Sequence, residues 1–147
     1  MNPVDEYTKK FTKETMPNVL QVRRNFFSVS DELMKVKDKV KTEPFAIGTY
    51  LGTGNPFKPS IALLDWLNER TERTIMLDKK SAWLFVCGRD VFAAGIMVKE
   101  GAFVREGPVI VRNEAREMLG LGELGKSRKI PLKNVMDRGD FLRRERH

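Results

Sequence analysis

The sequence predicts an α+β protein, a small N-terminal α/β domain over residues 1–75 joined to a small C-terminal β barrel over residues 76–147. Three observations lead there. Helical and extended patterns alternate in the first half, as they do where short helices cover a small sheet. In the second half, five or six short apolar runs fall within roughly 70 residues with few helical signals, which suits a nearly closed sheet rather than an open one. Finally, 147 residues suffice for one domain of ordinary size or two small ones, with core enough to fold without covalent staples.

In the first half, Asp5 to Thr15 is expected to form a short helix with Tyr7, Phe11 and Met16 near one face, closed by Pro17. Val19 to Phe27 (VLQVRRNFF) follows as one strand with Arg23 and Arg24 in its middle. Ser28, three residues before Asp31, resembles a capping box, and Leu33, Met34, Val36 and Val40 give an amphipathic helix reaching about Lys41. Lys35, Lys37, Lys39 and Lys41 run along that helix, a pattern usual for a solvated face. After Glu43-Pro44, FAIGTYLG is strand-like and Gly52 to Pro56 is a turn by composition. A phosphate cradle would need GxGxxG, or GxxxxGK followed by Ser or Thr, and neither spacing is present. Pro59 and Ser60 open a helix with Ile61, Leu64 and Leu67 on one face and Leu63 and Trp66 beside it, Trp66 being expected in the core.

The domain boundary is expected between Glu72 and Lys80. Beyond it TIMLD, AWLFVC, VFAAGIMV and PVIVRN carry β signals, separated by charged or glycine-containing breaks. Asn113 to Arg116 connects PVIVR to EMLGLGEL as a hairpin, and Gly120, Gly122 and Gly125 in the returning strand mark a bend or bulge where backbone comes close to something.

Charge is gathered at one end. From Lys126 to His147 eight cations stand against Asp137, Asp140 and Glu145, a net +5 in 22 residues out of +7 for the chain. Such a local positive potential attracts a polyanion and is weakened by salt, so RNA or DNA is the first candidate partner. Catalysis and metal binding find little support. The single cysteine, Cys87, has no partner in the chain and lies in an apolar run, as a buried inert thiol would. The single histidine is the terminal His147, so neither a zinc or iron-sulfur spacing nor a Ser-His or Cys-His pair can be composed. No signal-peptide core and no run approaching ~18 apolar residues is present, which predicts a soluble, cytoplasmic protein without catalytic residues, metal or cofactor.

The stretch WLFVCGRDVFAAGIMVKEGAFVREGPVIVRNEAREMLGLGE resembles a PUA domain, the small pseudo-barrel named for pseudouridine synthases and archaeosine transglycosylases. Gly88, Gly95, the Glu106-Gly107-Pro108 corner, the hairpin strand Val109 to Asn113 and Gly120 to Gly122 stand where that family has its characteristic positions. FFSVSDELMKVK and FAIGTYLGTGNPFKPSIALLDWL are similar, in order and spacing, to the N-terminal domain of the Nip-seven family, large-subunit ribosome biogenesis factors of archaea and eukaryotes. VMDRGDFLRRE resembles the end of the same family, so the likeness runs over roughly Arg24 to Glu145. It implies an archaeal-type, non-enzymatic RNA-binding factor, with a pre-PUA α/β domain followed by a PUA-type β pseudo-barrel. Its partners would be precursor ribosomal RNA, in single-stranded segments, and other assembly proteins through the N-terminal domain. A cytoplasmic monomer without membrane contact is implied, and the N-terminus is shorter than in longer relatives. In that family RNA binding is attributed to basic residues in the C-terminal part of the PUA domain. Mapped here these are Lys126, Arg128, Lys129 and Lys133 on the late strands and their connection, with Arg138, Arg143 and Arg144 around the last helical turn.

The residues themselves leave alternatives. Arg138 and Arg144 can pair with Asp140, Asp137 or Glu145, whereas Lys126, Arg128 and Lys129 have few acidic neighbours. Phe92, Phe103 and Phe141 are candidates for base stacking, each with a core position as the alternative. Arg112 can face the barrel exterior or a bound strand, and Gly120 and Gly122 admit either an RNA backbone or close packing. Two other functions compete with the RNA-binding factor: a protein-interaction adaptor, and an accessory subunit or remnant of an RNA-modifying enzyme.

Overall fold

The structure, a computed structural model, describes residues 2–36, 48–100 and 106–139 and divides into two compact units, Met1–Leu67 and Asn68–His147. In the first unit α1 (Pro3–Thr8) is capped by Asn2, whose side-chain oxygen accepts from the Asp5 N–H at 2.8 Å, with Pro3 filling the first helical position. The helix stops at Thr8 rather than reaching Thr15, in a stretch where Thr8, Thr12 and Thr15 are all weak helix formers. Phe11 and Met16 are nonetheless buried.

VLQVRRNFF is two strands, not one. β1 (Val19–Val22) and β2 (Asn25–Ser28) form an antiparallel hairpin around Arg23-Arg24, with Val22 opposite Asn25. Arg23 takes a left-handed φ of 57°, and its carbonyl accepts from Gln21 Nε2 at 2.8 Å. β3 (Thr49–Thr53) and β4 (Lys58–Pro59) complete an antiparallel sheet in the order β1-β2-β3-β4. Ser28 stays in β2, so the helix α2 (Asp31–Val36) begins without the expected capping box, and its continuation to Lys41 lies outside the described residues. α3 (Ile61–Asn68) starts where expected: Ser60 Oγ accepts from the Leu63 N–H at 3.1 Å, and Leu63, Leu64 and Leu67 are fully buried. Trp66 is half-buried rather than in the core.

The second unit is a mixed sheet in the order β6-β5-β7-β8-β9, made from β5 (Thr74–Leu77), β6 (Ile96–Glu100), β7 (Gly107–Arg112), β8 (Met118–Leu124) and β9 (Leu132–Asp137). β5 and β7 run parallel and the other neighbours antiparallel. An isolated bridge from Val91 to Leu132 on the far side of β9 curls the sheet into a pseudo-barrel. Because β5 pairs with both β6 and β7, a boundary at residue 75 would cut through a central strand; the contacts divide the chain at Leu67/Asn68.

AWLFVC is helical, not extended. α4 (Lys79–Val86) is capped by Asp78, whose carboxylate accepts from the Ser81 N–H at 2.7 Å. Ala82 and Phe85, three residues apart, face the core, while Trp83 and Cys87 lie two residues either side of Phe85, about 200° around the helix, and are exposed. Cys87 is therefore not the buried thiol its apolar neighbours suggested. In VFAAGIMV, Val91 makes only the bridge, a 3-10 turn follows at Ala93–Gly95, and the strand begins at Ile96. Ile75, Leu77, Phe85, Val109, Val111 and Leu132, none of them exposed, form the centre of the core.

The Ser81 hydrogen bonds, from backbone first and side chain second, hold the Asp78 carboxyl below its ordinary value, with Lys80 adding to the effect. A depressed carboxyl contributes stability that is complete above its unfolded value and disappears as pH falls through the folded one. Asp78→Ala is expected to lower the melting temperature at neutral pH, with the difference from wild type shrinking below pH 3.8. Thermal melts of both proteins across that range check it: no gap at neutral pH would mean the cap contributes nothing, and a gap that does not change with pH would mean the loss is not that of the ionised carboxylate.

Candidate nucleic-acid interface

After β8 the chain reverses through residues 125–131 and returns as β9. Its backbone is tied at both ends: the Gly125 N–H donates to Pro131 O at 2.8 Å, and the Val91 N–H to Leu132 O at 2.9 Å. In the middle, the Ala93 N–H donates to Lys129 O at 3.1 Å, and Ser127 Oγ accepts from the Ile130 N–H at 3.1 Å. The sequence of this loop carries Lys126, Arg128 and Lys129 and no acidic residue. All three side chains are exposed, and none makes a hydrogen bond or ion pair among the described residues. Three cations on a pinned backbone, with no acidic residue in the loop itself, are placed to take phosphates at small ordering cost.

Beside the loop lies a cleft of about 460 Å³, whose lining includes Lys126, Arg128, Ala93, Ile96, Glu106 and Gly125. A Cβ on Gly125 would meet nothing within 4 Å, so the chain there is open to an approaching ligand. Phe92 precedes the Ala93–Lys129 hydrogen bond and is 54% exposed, which removes the core alternative for this ring. A strand laid along the loop would find cations for its phosphates and an aromatic face for a base.

The other expected cations are not part of this group. Lys133 is exposed on β9, in register with exposed Glu123 on β8, so an opposite charge offsets it. Arg138 is partly buried and its Nε donates to Met118 O at 2.7 Å, which ties the end of β9 to the start of β8. Arg143 and Arg144 lie outside the described residues, as do Phe103 and Phe141. Arg112, left open between barrel exterior and bound strand, is buried: its Nε donates to Asn68 Oδ1 at 2.6 Å and an NH2 group to the Asn68 carbonyl. Gly120 and Gly122 serve packing. A Cβ on Gly120 would lie 2.1 Å from Met136 O, and one on Gly122 2.7 Å from Leu132 Cδ1.

Among the described residues no group of His, Cys, Asp and Glu could hold a metal ion, and no helix is long and apolar enough to cross a membrane. Comparison with known proteins places the second unit. A protein from Archaeoglobus fulgidus, described as a UPF0113 protein, is 27% identical over 113 residues, covering 70% of this chain and 64% of that protein. The chain thus spans just under two thirds of that relative's length. Two solved structures share the fold. A conserved PUA domain protein from Thermoplasma acidophilum superposes with a TM-score of 0.63 at 13% identity, over 99% of this chain and 96% of that one. A PUA domain from Aeropyrum pernix K1, solved as a tartrate complex, gives 0.59 at 15% identity over 95% and 82%. The family model of the UPF0113 PUA domain matches residues 73–146, half of the chain and all of its pseudo-barrel strands, and the chain belongs to that family.

Proposed function

We propose that this protein is an RNA-binding factor of large-ribosomal-subunit assembly, similar in role to the Nip-seven factors. In this reading it binds single-stranded segments of precursor ribosomal RNA through the loop Lys126 to Lys129 and its cleft. The same reading makes it a cytoplasmic monomer without catalytic activity, meeting other assembly proteins through its N-terminal unit. One observation carries it: three exposed cations stand on a pinned loop that has no acidic residue of its own, beside an exposed phenylalanine. The PUA domain being generally an RNA-binding fold supports it, and the order of sequence motifs in the first half supports the ribosomal role.

Binding of a short single-stranded RNA followed by fluorescence anisotropy across a salt series, beside a duplex DNA of equal charge, tests the reading. Salt-sensitive binding that prefers the RNA is expected. Absence of binding at low salt would move the assignment to a protein adaptor, for which Trp83, 68% exposed on α4, is the first residue to replace. Phe92→Ala is expected to weaken RNA binding about tenfold, the worth of ~1–3 kcal/mol for one stacked base, without changing the salt slope. An unaltered affinity in that variant removes the stacking role.

A further inference from the structure

The first unit has a cavity of about 700 Å³ of its own, between α1 with the turn after it, the β1–β2 hairpin and residues 54–57. Its wall is aromatic. The Phe57 ring lies 5.4 Å from Tyr7 and 5.8 Å from Phe26, centroid to centroid. Gly52 makes room for it, since a Cβ there would sit 2.6 Å from Phe57 Cζ and 2.3 Å from Lys58 O. Two cations border this wall. Lys10 Nζ stands 5.7 Å from the centre of the Tyr7 ring. Arg24, exposed, projects from a fixed backbone: its carbonyl accepts from Thr53 Oγ1 at 2.9 Å and from the Gly54 N–H at 3.0 Å. Neither cation makes an ion pair among the described residues, and Glu6 is the one carboxylate that faces them in the cavity. Gln21 and Asn55 add amide groups, which can both donate and accept.

These groups match the parts of a single nucleotide. A phosphate alone would need the cations but not the aromatic wall, and an apolar ligand would need the wall but not two cations and two amides. A planar base against Tyr7 and Phe57, its polar edge toward Asn55 or Gln21 and its phosphate between Lys10 and Arg24 would use them all. The volume lies within the ~300–1,000 Å³ usual for small-molecule sites. We infer that this cavity binds a nucleoside 5′-phosphate unit, either as a free nucleotide or as one residue of an RNA strand. The inference stands on the first unit alone and does not depend on RNA binding at the Lys126 to Lys129 loop.

The test uses the full chain with Lys126, Arg128 and Lys129 changed to alanine, so that a signal from the loop is removed. Adenosine and uridine 5′-monophosphates, the two nucleosides and ribose 5-phosphate are titrated while amide NMR signals of Tyr7, Gly54 and Asn55 are followed. Both monophosphates are expected to shift these signals with a Kd of ~1 mM or below, and the nucleosides and ribose 5-phosphate to bind at least about tenfold more weakly. Lys10→Ala combined with Arg24→Ala is expected to weaken the monophosphates about tenfold with an unchanged melting temperature, since both side chains are exposed. A short RNA that shifts the same signals more tightly identifies a strand as the source of the nucleotide; a stronger response to the free monophosphate identifies a soluble one. No shift at ~10 mM monophosphate, or ribose 5-phosphate binding as tightly as the nucleotides, overturns the inference.

Discussion

Alanine at Lys126, Arg128 and Lys129 together is expected to lower affinity for single-stranded RNA about 100-fold at ~0.1 M salt, with the loss fading toward ~1 M. The magnitude follows from counterion release. Each phosphate contact contributes roughly 0.7 to the slope of log affinity against log salt for a single strand, so three lost contacts flatten it by about 2, which over one decade of salt is about 100-fold. The fold should be indifferent, because the loop is held by backbone hydrogen bonds and the three side chains are exposed. A melting temperature within a few degrees of wild type, with the flattened slope, is the complete expected result. An unchanged slope would show that these cations meet no phosphate, whatever happened to the affinity. Lys133→Ala should change the slope far less than a member of the loop, since Glu123 stands opposite it in register.

Gly120→Ala should destabilise the second unit by about 3 kcal/mol, lowering the melting temperature on the order of 10 °C. Gly120 has φ +156°, where side chains are strained, and its Cβ would lie 2.1 Å from Met136 O and 2.8 Å from Asp137 Cα. Those are backbone atoms of the neighbouring strand, so relief requires β9 to move away from β8 and the ladder between them to open. Gly125→Ala is the control: a Cβ there meets nothing within 4 Å, and stability should change by no more than about 0.5 kcal/mol. Thermal unfolding of the two variants decides the matter. Equal melting temperatures would mean that β8 and β9 can shift at little cost.

The contrast between these glycines shows where residue type stops being informative. Gly120, Gly122 and Gly125 lie within six residues of one another, and a local reading treats them alike. Two are fixed by what the partner strands place against them and the third is open, because packing is a property of the neighbour across the sheet and not of the glycine. Likewise Arg112 and Arg128 are both arginines next to apolar strands. One is buried on Asn68 and the other is exposed, since register decides which face of a strand or loop each occupies. The loop cations were legible because they share a run without acids. The sorting of Lys133 and Arg138 away from them required knowing that Glu123 and the Met118 carbonyl come alongside.

Elements were legible where period and punctuation agreed. Ser60 before an apolar helical stripe fixed the start of α3, and Asn113 to Arg116 marked the β7–β8 hairpin. They were lost where a short apolar run fits either period, as with AWLFVC, whose helical nature depends on the Asp78 cap and on Phe85 reaching the core. The Arg23-Arg24 turn has no compositional signal at all, and its reversal follows from β1 pairing with β2. By itself, then, the sequence determined an α+β chain, a β-rich second half and a basic, acid-free segment, because patterning and charge are local properties. Which cations stay free, which glycines bear packing and which aromatics reach solvent was decided only by tertiary structure, because burial and partnership depend on residues distant in the chain.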